Sequence, residues 1–405
     1  MSKETEAVIL SAARTPIGKF QGSLSSIPGP KLGAIAIKAA VERAGINPEE
    51  IEEIILGNVV QAGEGQAPAR QAGILAGIPA TVGATTVNKV CGSGLKAAMV
   101  AAQAVRAGDA NLFVAGGFES MSRAPFLVSG RLGELKFGNT QLTDALLHDG
   151  LWDPFENWGM GSAAEFIGEE YRVTREAMDR FALDSHRKAV AAQEGGKFKP
   201  EITAVEVTGR KGEINIIDTD EGPRPDTTLE SLAKLKPSFK ADGKVTAGNS
   251  SSMNDGAAAL VISSVAYAEE HKLRPLARVV GYTQVGVNPK YLFAAPARAI
   301  PKLLKGISWK LSEVDLIELN EAFAAQVLAD GYTLLDQGWE WGKVNVHGGA
   351  IALGHPLGAS GARLLTTLIY ALKDRGLTRG VASLCLGGGE AVAMAIELEK
   401  ELNPF

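Results

Sequence analysis

AGINPEEIEEIILGN, residues 44–58, returns as KGISWKLSEVDLIELN at residues 305–320. Each copy runs from a glycine through a polar turn into an apolar strand that ends on Asn. The match extends outward on both sides. Ahead of the first copy, Ala7 to Ser11 reads as an apolar strand and Lys31 to Arg43 as a helix closed by Gly45. Ahead of the second, Ala277 to Gly281 is strand-like and Ala297 to Lys305 helix-like, with Gly306 closing. Downstream, TTVNKVCGSGLKAA (85–98) answers GKVNVHGGAIALGHPLGASGARL (342–364). Each opens a small-residue helix leading to a strand, NLFVAGG (111–117) in one copy and GVASLCLGGG (380–389) in the other. The pairs Gly45/Gly306, Asn58/Asn320 and Val87/Val344 keep a nearly constant offset, so chance likeness between Gly-rich stretches is a poor explanation. Two copies of a strand–helix unit predict two similar α/β halves; a solenoid needs more repeats.

Residues from about 120 to 246 separate the copies. This region is more polar, with a helical stretch REAMDRFALDSHRKAVAAQ (175–193) and a proline-rich turn at Gly222 to Pro225. It reads as a long insertion over the first half, and loops of that length commonly cover a site. The expected division is therefore 1–275, with the insertion at about 120–246, followed by 276–405.

Composition narrows the function. The 405 residues are 45% apolar and 21% charged, with a formal net charge of −5. That is a soluble globular balance, and its slightly acidic sum argues against nucleic-acid binding. No apolar run is long enough to span a bilayer. The start, MSKETEAVILSAARTPIG, lacks the layout of a signal or transit peptide, and the end, ELNPF, carries no peroxisomal address. A cytoplasmic protein is expected. Two cysteines cannot form a disulfide scaffold, and with five scattered histidines they offer no zinc spacing.

Those two cysteines nonetheless stand in suggestive places. Cys91 lies between a strand-like TTV and a helix opening GSGLKAA. A thiol at a helix start faces unpaired N–H groups and the positive end of the dipole, both of which lower its pKa. Filling a helix–sheet gap is an equally good reading on this signal alone. Gly92, Gly94 and Ala97 also fit a dinucleotide fingerprint, with Glu119 near where a ribose-binding acid would fall. That fingerprint usually follows a domain's first strand, so an NAD(P)-binding oxidoreductase remains a remote alternative.

His355 lies among glycines with Pro356 after it, which presents the imidazole from a loop, suited to taking a proton from a thiol. His186 and His271 fit better as histidines paired to backbone, whereas His148 and His347 are open. Cys385 ends the strand GVASLC, where side chains of a parallel sheet meet ligands, and the glycines after it expose N–H groups able to hold an oxyanion. Asn320 also follows a strand, and a helix N-cap is its ordinary alternative.

Taken together, VNKVCGSGLKA, GGFESMS, AGNSSSMNDGAAA, ELNEAFAAQ, NVHGGAIALGHPLGASGAR and CLGGG resemble the thiolases in order and spacing. Thiolases are coenzyme-A-dependent acyltransferases that make or cleave 3-ketoacyl-CoA, and the resemblance runs from about Ala7 to Glu397. It implies a five-layered αβαβα core of two similar halves with a loop domain inserted in the first. By the same resemblance Cys91 attacks a thioester and carries the acyl group, His355 activates it, and Cys385 moves the α-proton of the second substrate. Asn320, with His355, supports one oxyanion site partly through water, and the N–H groups of Cys91 and Gly387 form the other. Ser251 falls near the pantetheine, Arg224 near the nucleotide end, and Met160, Phe323 and Leu151 around the acyl group.

The resemblance further implies no tightly bound cofactor and no metal. Acetyl-CoA, acetoacetyl-CoA or longer 3-ketoacyl-CoA and free CoA are the substrates. It also implies a homodimer or homotetramer, with Gly130 to Leu147 similar to a tetramerisation loop. Some positions depart from the pattern. Gly159 replaces a histidine found in many acetoacetyl-CoA-specific members, Ser252 and Ala391 stand where Gly is usual, and His347 replaces Asn. The EAFAAQ wording favours an acetyl-CoA C-acetyltransferase; a broad-chain 3-ketoacyl-CoA thiolase is the alternative. A decarboxylating ketoacyl synthase fits less well, because it typically lacks a second catalytic Cys.

Overall fold

The computed structural model describes residues 5–130, 135, 137–209 and 211–399. Residues 131–134 and 136 of the expected tetramerisation segment, and the C-terminal ELNPF, lie outside the described residues.

The first half comprises β1 (Ala7–Arg14), α1 (Gly29–Ala44), β2 (Glu53–Gly57), α2 (Pro68–Leu75), β3 (Gly83–Val87), α3 (Ser93–Ala107) and β4 (Leu112–Ser120). After an insertion carrying α4 (Met160–Glu170) and α5 (Arg175–Glu194), β5 (Asn254–Ser264) returns to the same sheet. The second half comprises β6 (Ala277–Gly286), α6 (Pro296–Gly306), β7 (Leu316–Leu319), α7 (Ala324–Leu334), α8 (Leu357–Arg375), β8 (Arg379–Leu386) and β9 (Glu390–Leu398).

The strands run β7-β8-β9-β6-β1-β5-β4-β2-β3, and the halves join where β1 meets β6 over the pairs Val8–Arg278 and Ile9–Ala277. Outward from that seam the halves repeat each other. β1, β5 and β4 are antiparallel neighbours with β2 parallel beyond, and β6, β9, β8 and β7 follow the same scheme. Even β3 has an echo, an isolated parallel bridge between Ile317 and Val344.

Strand alternation sorts the core into layers. Ala7 and Ile9 of β1 face inward and pack with α3 and α8, while Val8 and Leu10 face α1 and α2 on the outside. On β9, Val392, Met394 and Ile396 join that same central layer, and Ala391, Ala393 and Ala395 face α6. The layers are thus helix, sheet, helix, sheet, helix, the expected αβαβα arrangement. Small residues permit the close central packing: a Cβ on Gly94 of α3 would lie 2.8 Å from the backbone of Gly358 and Ala362 in α8.

Two local expectations differ. Gly45 closes α1 in the left-handed region at φ 66°, as glycine readily does. Gly306 instead stays inside α6 and Ile307 caps it at φ −106°. The insertion is tied down by buried charge: Arg14 Nε meets Glu201 at 2.6 Å, and its guanidinium takes Asp220 bidentately at 2.7 and 2.8 Å. Losing one partner of such a buried pair strands the other charge and costs about 3–5 kcal/mol.

Candidate active site

The turn between β3 and α3 is built to hold its residues tightly. Asn88 Oδ1 accepts the Val90 N–H at 3.0 Å, while Ser93 Oγ accepts the Lys89 N–H at 2.8 Å and donates to the Val90 carbonyl at 2.6 Å. These bonds hold Val90 at φ 45°, an unfavourable conformation for a β-branched residue. Cys91 follows, Gly92 caps the helix, and α3 begins at Ser93.

The expected low-pKa thiol is not what this turn delivers. Cys91 packs among Val59, Val60, Met121, Leu146 and Leu357, and burial pushes its thiol up to about 12. The backbone N–H groups of Gly387 and Cys91 oppose that rise, whereas nearby Glu119 adds to it. Desolvation outweighs the helix start because the helix begins two residues later and the pocket around the sulfur is apolar. Cys91 is therefore a protonated thiol near neutral pH that needs a base at the moment of attack.

His355 supplies a group of that kind. Gly354 at φ 108° turns the chain out of a short helix, and the His355 N–H donates to Asn254 Oδ1 at 3.0 Å. Its Nδ1 lies 2.6 Å from Ser360 Oγ, which donates its own proton to the Pro356 carbonyl at 2.8 Å. With the hydroxyl proton so used, Nδ1 must carry the imidazole proton and Nε2 is the acceptor. Asn320 Nδ2 approaches that Nε2 at 3.4 Å. Burial, and then the Arg363 charge, push His355 down to about 3, so the ring is neutral and its Nε2 lone pair is free to accept a proton.

Asn320 is fully buried after β7, and its N–H donates to the Ser383 carbonyl at 3.0 Å, two residues before Cys385. It caps no helix, since Phe323 takes that place ahead of α7. Cys385 is 1% exposed, and burial raises its thiol well above the ordinary range, with Cys91 close enough to add to the effect. The structure thus sets Cys91 beside Cys385 and Gly387, and sets His355 beside Asn320, whose backbone is bonded two residues short of Cys385.

The remaining expected residues surround this group unevenly. Met160 and Phe323 pack in the same apolar cluster as Cys385, and Leu151 packs in the cluster holding Cys91. Ser251 is half-buried, its N–H bonded to the Ala322 carbonyl at 3.0 Å beside Phe323. Arg224 is exposed; its N–H donates to His186 Nδ1 at 3.2 Å and its guanidinium lies 3.0 Å from Nε2. His186 and His271 both bond backbone atoms, as expected, through Arg224 N–H and the Tyr267 carbonyl. His347 is buried on an edge of the Phe198 ring, and burial holds it down at about 4.

The dinucleotide reading fails on Glu119. Its carboxylate is 1% exposed and accepts Asn58 Nδ2, Val59 N and Val60 N at 3.1 Å and Gly358 N at 2.9 Å, leaving nothing for a ribose. Gly94 serves packing between helices. Sequence reasoning missed Ser360 and Asn254. Ser360 stands in the first turn after His-Pro and was findable by that spacing; Asn254, a hundred residues away, left no local signal.

Among the described residues, no group of His, Cys, Asp and Glu could hold a metal ion, and no helix is long and apolar enough to cross a membrane. Comparison with known families matches residues 7–266 to "Thiolase, N-terminal domain" and residues 273–398 to "Thiolase, C-terminal domain". An acetyl-CoA acetyltransferase of Cupriavidus necator is 52% identical over 97% of this chain and 99% of its own. One of Pseudomonas aeruginosa is 51% identical over 96% and 99%. The crystal structure of the Bacillus anthracis acetyl-CoA acetyltransferase superposes with a TM-score of 0.94 at 42% identity, covering 97% of this chain and 99% of that one.

Proposed function

The chain belongs to the thiolase family, and on that premise we propose that it is an acetyl-CoA acetyltransferase working through an acetyl-Cys91 intermediate. The observation that carries the reading is the meeting of half-buried Cys91 with buried Cys385, beside the Gly387 and Cys91 N–H groups that hold the Cys91 thiol down against desolvation. In the first step the Cys91 sulfur bonds to the thioester carbonyl carbon of acetyl-CoA as His355 Nε2 takes the thiol proton. The carbonyl oxygen becomes an oxyanion between those two N–H groups. Collapse breaks the bond to CoA, and the departing thiolate takes the Cys385 proton, which leaves Cys385 a thiolate and His355 protonated at Nε2. Thioester exchanges for thioester, so the acyl group changes carrier without a high-energy intermediate.

In the second step the Cys385 thiolate removes the α-proton of another acetyl-CoA, whose enolate oxygen accepts from His355 Nε2–H and rests against Asn320. The carbanion attacks acetyl-Cys91, and the released Cys91 thiolate recovers its proton from His355, leaving acetoacetyl-CoA. Thiolysis runs the same steps backwards. Each oxyanion donor contributes on the order of 3 kcal/mol to its transition state. Leu151, Met160 and Phe323 surround the acyl group; Ser251 contacts the pantetheine and Arg224 the nucleotide end. CoA thioesters are substrates and no tightly bound cofactor takes part.

We also infer a cytoplasmic homodimer or homotetramer, divided at about residue 275 into the two halves. Exposed Phe126, Leu142 and Leu147 around the 130–147 segment support assembly.

The test is incubation with acetyl-CoA followed by peptide mapping, alongside steady-state thiolysis of acetoacetyl-CoA and longer 3-ketoacyl-CoA. Acetyl on Cys91 and rapid thiolysis of the four-carbon substrate are expected. An unmodified Cys91 would sink the reading.

A further inference from the structure

The Cys91 and Gly387 N–H groups that lower the Cys91 thiol pKa come from different halves of the chain, so their spacing must be set by something that spans the halves. Cys91 belongs to the turn after β3 and Gly387 to the turn between β8 and β9. Directly beside both lies an ion pair: Lys89 Nζ meets Glu390 Oε2 at 2.5 Å. Lys89 is two residues before Cys91 and bridges to it in the backbone, and its N–H is bonded to Ser93 Oγ at the start of α3. Glu390 is the first residue of β9 and pairs with Leu386 across the turn that presents Gly387.

Between them the two turns touch directly. A Cβ on Gly387 would lie 3.3 Å from Val90 Cγ1, and Val90 is the residue held at φ 45°. Val90 therefore sits as a wedge between the donors, with the ion pair on its flank. The pair is partly shielded, its side chains 19% and 39% exposed, and Lys96 one helical turn into α3 also feels both charges.

We propose that Lys89 and Glu390 are a positioning pair that holds the Cys91 and Gly387 N–H groups in register across the two halves. The proposal rests on the acetyl-transfer reading for its catalytic consequence, but the geometry it concerns can be read without turnover. Neither side chain touches the reacting atoms. Removing the pair lets the strained Val90 turn relax away from Gly387 and spreads the donors.

The decisive variant is Glu390→Gln, because direct charge and positioning push the Cys91 thiol in opposite directions. Losing the Glu390 charge leaves Lys89 uncompensated, which by direct electrostatics makes Cys91 easier to ionise. Spreading the donors removes hydrogen bonds to the thiolate and makes it harder. The other titratable groups near the thiol, Glu119 and the Cys385 thiol, are unchanged. Alkylation of Cys91 by iodoacetamide at one fixed pH, followed by peptide mass spectrometry, is expected to slow in Glu390→Gln and in Lys89→Met. In thiolysis both variants are expected to lose about tenfold in kcat with KM within about twofold, since the donors are displaced rather than deleted. The exchanged pair Lys89→Glu with Glu390→Lys should recover most of that loss. An alkylation rate in Glu390→Gln equal to that of the unmodified protein, or faster, overturns the proposal even if the enzyme proves to catalyse some other reaction. Absence of acetyl on Cys91 in the unmodified protein would instead sink the functional reading and leave the alkylation result to decide the pair.

Discussion

The parallel pair β2–β4 ends at Gly57 opposite Gly117, and the parallel pair β7–β8 ends at Leu319 opposite Ser383. One residue past the first partner stands Asn58 in one half and Asn320 in the other. Two residues past the second stand Glu119 and Cys385. The duplicated frame thus places an asparagine and an ionisable side chain at the same two points twice. In the first half they close on each other: Asn58 donates to Glu119, and three backbone N–H groups complete the cradle. In the second half Asn320 turns instead to His355, although the Oδ1 of both asparagines is buried without a hydrogen-bond partner among the described residues. Cys385 is packed beside a second thiol. One copy uses the positions to fix a loop and a helix start, and the other leaves them available to a substrate.

The largest effect is expected at Cys385. Cys385→Ser keeps shape but replaces the thiol with a hydroxyl far harder to ionise to the working base, so condensation and thiolysis should fall by about 10³. Cys91 should still take an acetyl group from acetyl-CoA, and the acyl-enzyme should accumulate in mass spectrometry. Normal turnover would end the assignment of different roles to the two equivalent positions. Next in size is Asn320→Ala, which removes the group beside His355 Nε2. A fall in kcat of about 10² is expected, near the cost of one oxyanion donor, with the melting temperature nearly unmoved.

Glu119→Gln reverses that pattern. The amide cannot accept four donors, so about 1–3 kcal/mol of stability should be lost while the reacting groups stay in place. The loss should depend on pH. Burial, opposed by the three backbone N–H bonds, sets Glu119 at about 7, above the ordinary carboxylate value. A group whose folded pKa is raised stabilises fully below its unfolded value and loses that contribution as pH rises through the folded one. Urea titrations at pH 5 and 7.5 should therefore show a larger deficit for the variant at pH 5. A constant deficit would mean the carboxylate is ionised throughout.

Much of this was legible in the chain because repeats, glycines and strand ends are local signals. Gly45 and Asn58 reappearing as Gly306 and Asn320 were enough for two halves, and the Cys91, His355 and Cys385 settings were enough for a cluster. Equal letters did not guarantee equal backbone, since Gly306 continues its helix where Gly45 ends one. The thiol's pKa was misjudged for a related reason. The sequence shows a helix start beside Cys91, whereas Met121, Leu146 and Leu357, which desolvate it, come from distant segments. Glu119 looked free to meet a ribose because its donors lie 59 to 61 residues before it and 239 after. Asn320 looked like a cap until Phe323 took that place.

The smallest expected effect is the sharpest test, because Asn58 and Asn320 are the same residue at the same point of the frame. Asn58→Ala removes one hydrogen bond of 3.1 Å from Glu119, which keeps three backbone donors. The cost should be about 1 kcal/mol, a shift of roughly two degrees in a chain of this size, with kcat within about twofold of the unmodified protein. Measured beside Asn320→Ala, the two alanine variants should cross: one loses stability and keeps its rate, the other keeps stability and loses its rate. If Asn58→Ala slows thiolysis as much as Asn320→Ala does, the first-half cradle is part of the machinery. The positions would then differ in strength alone, and Glu119 would have to be counted among the groups that govern Cys91.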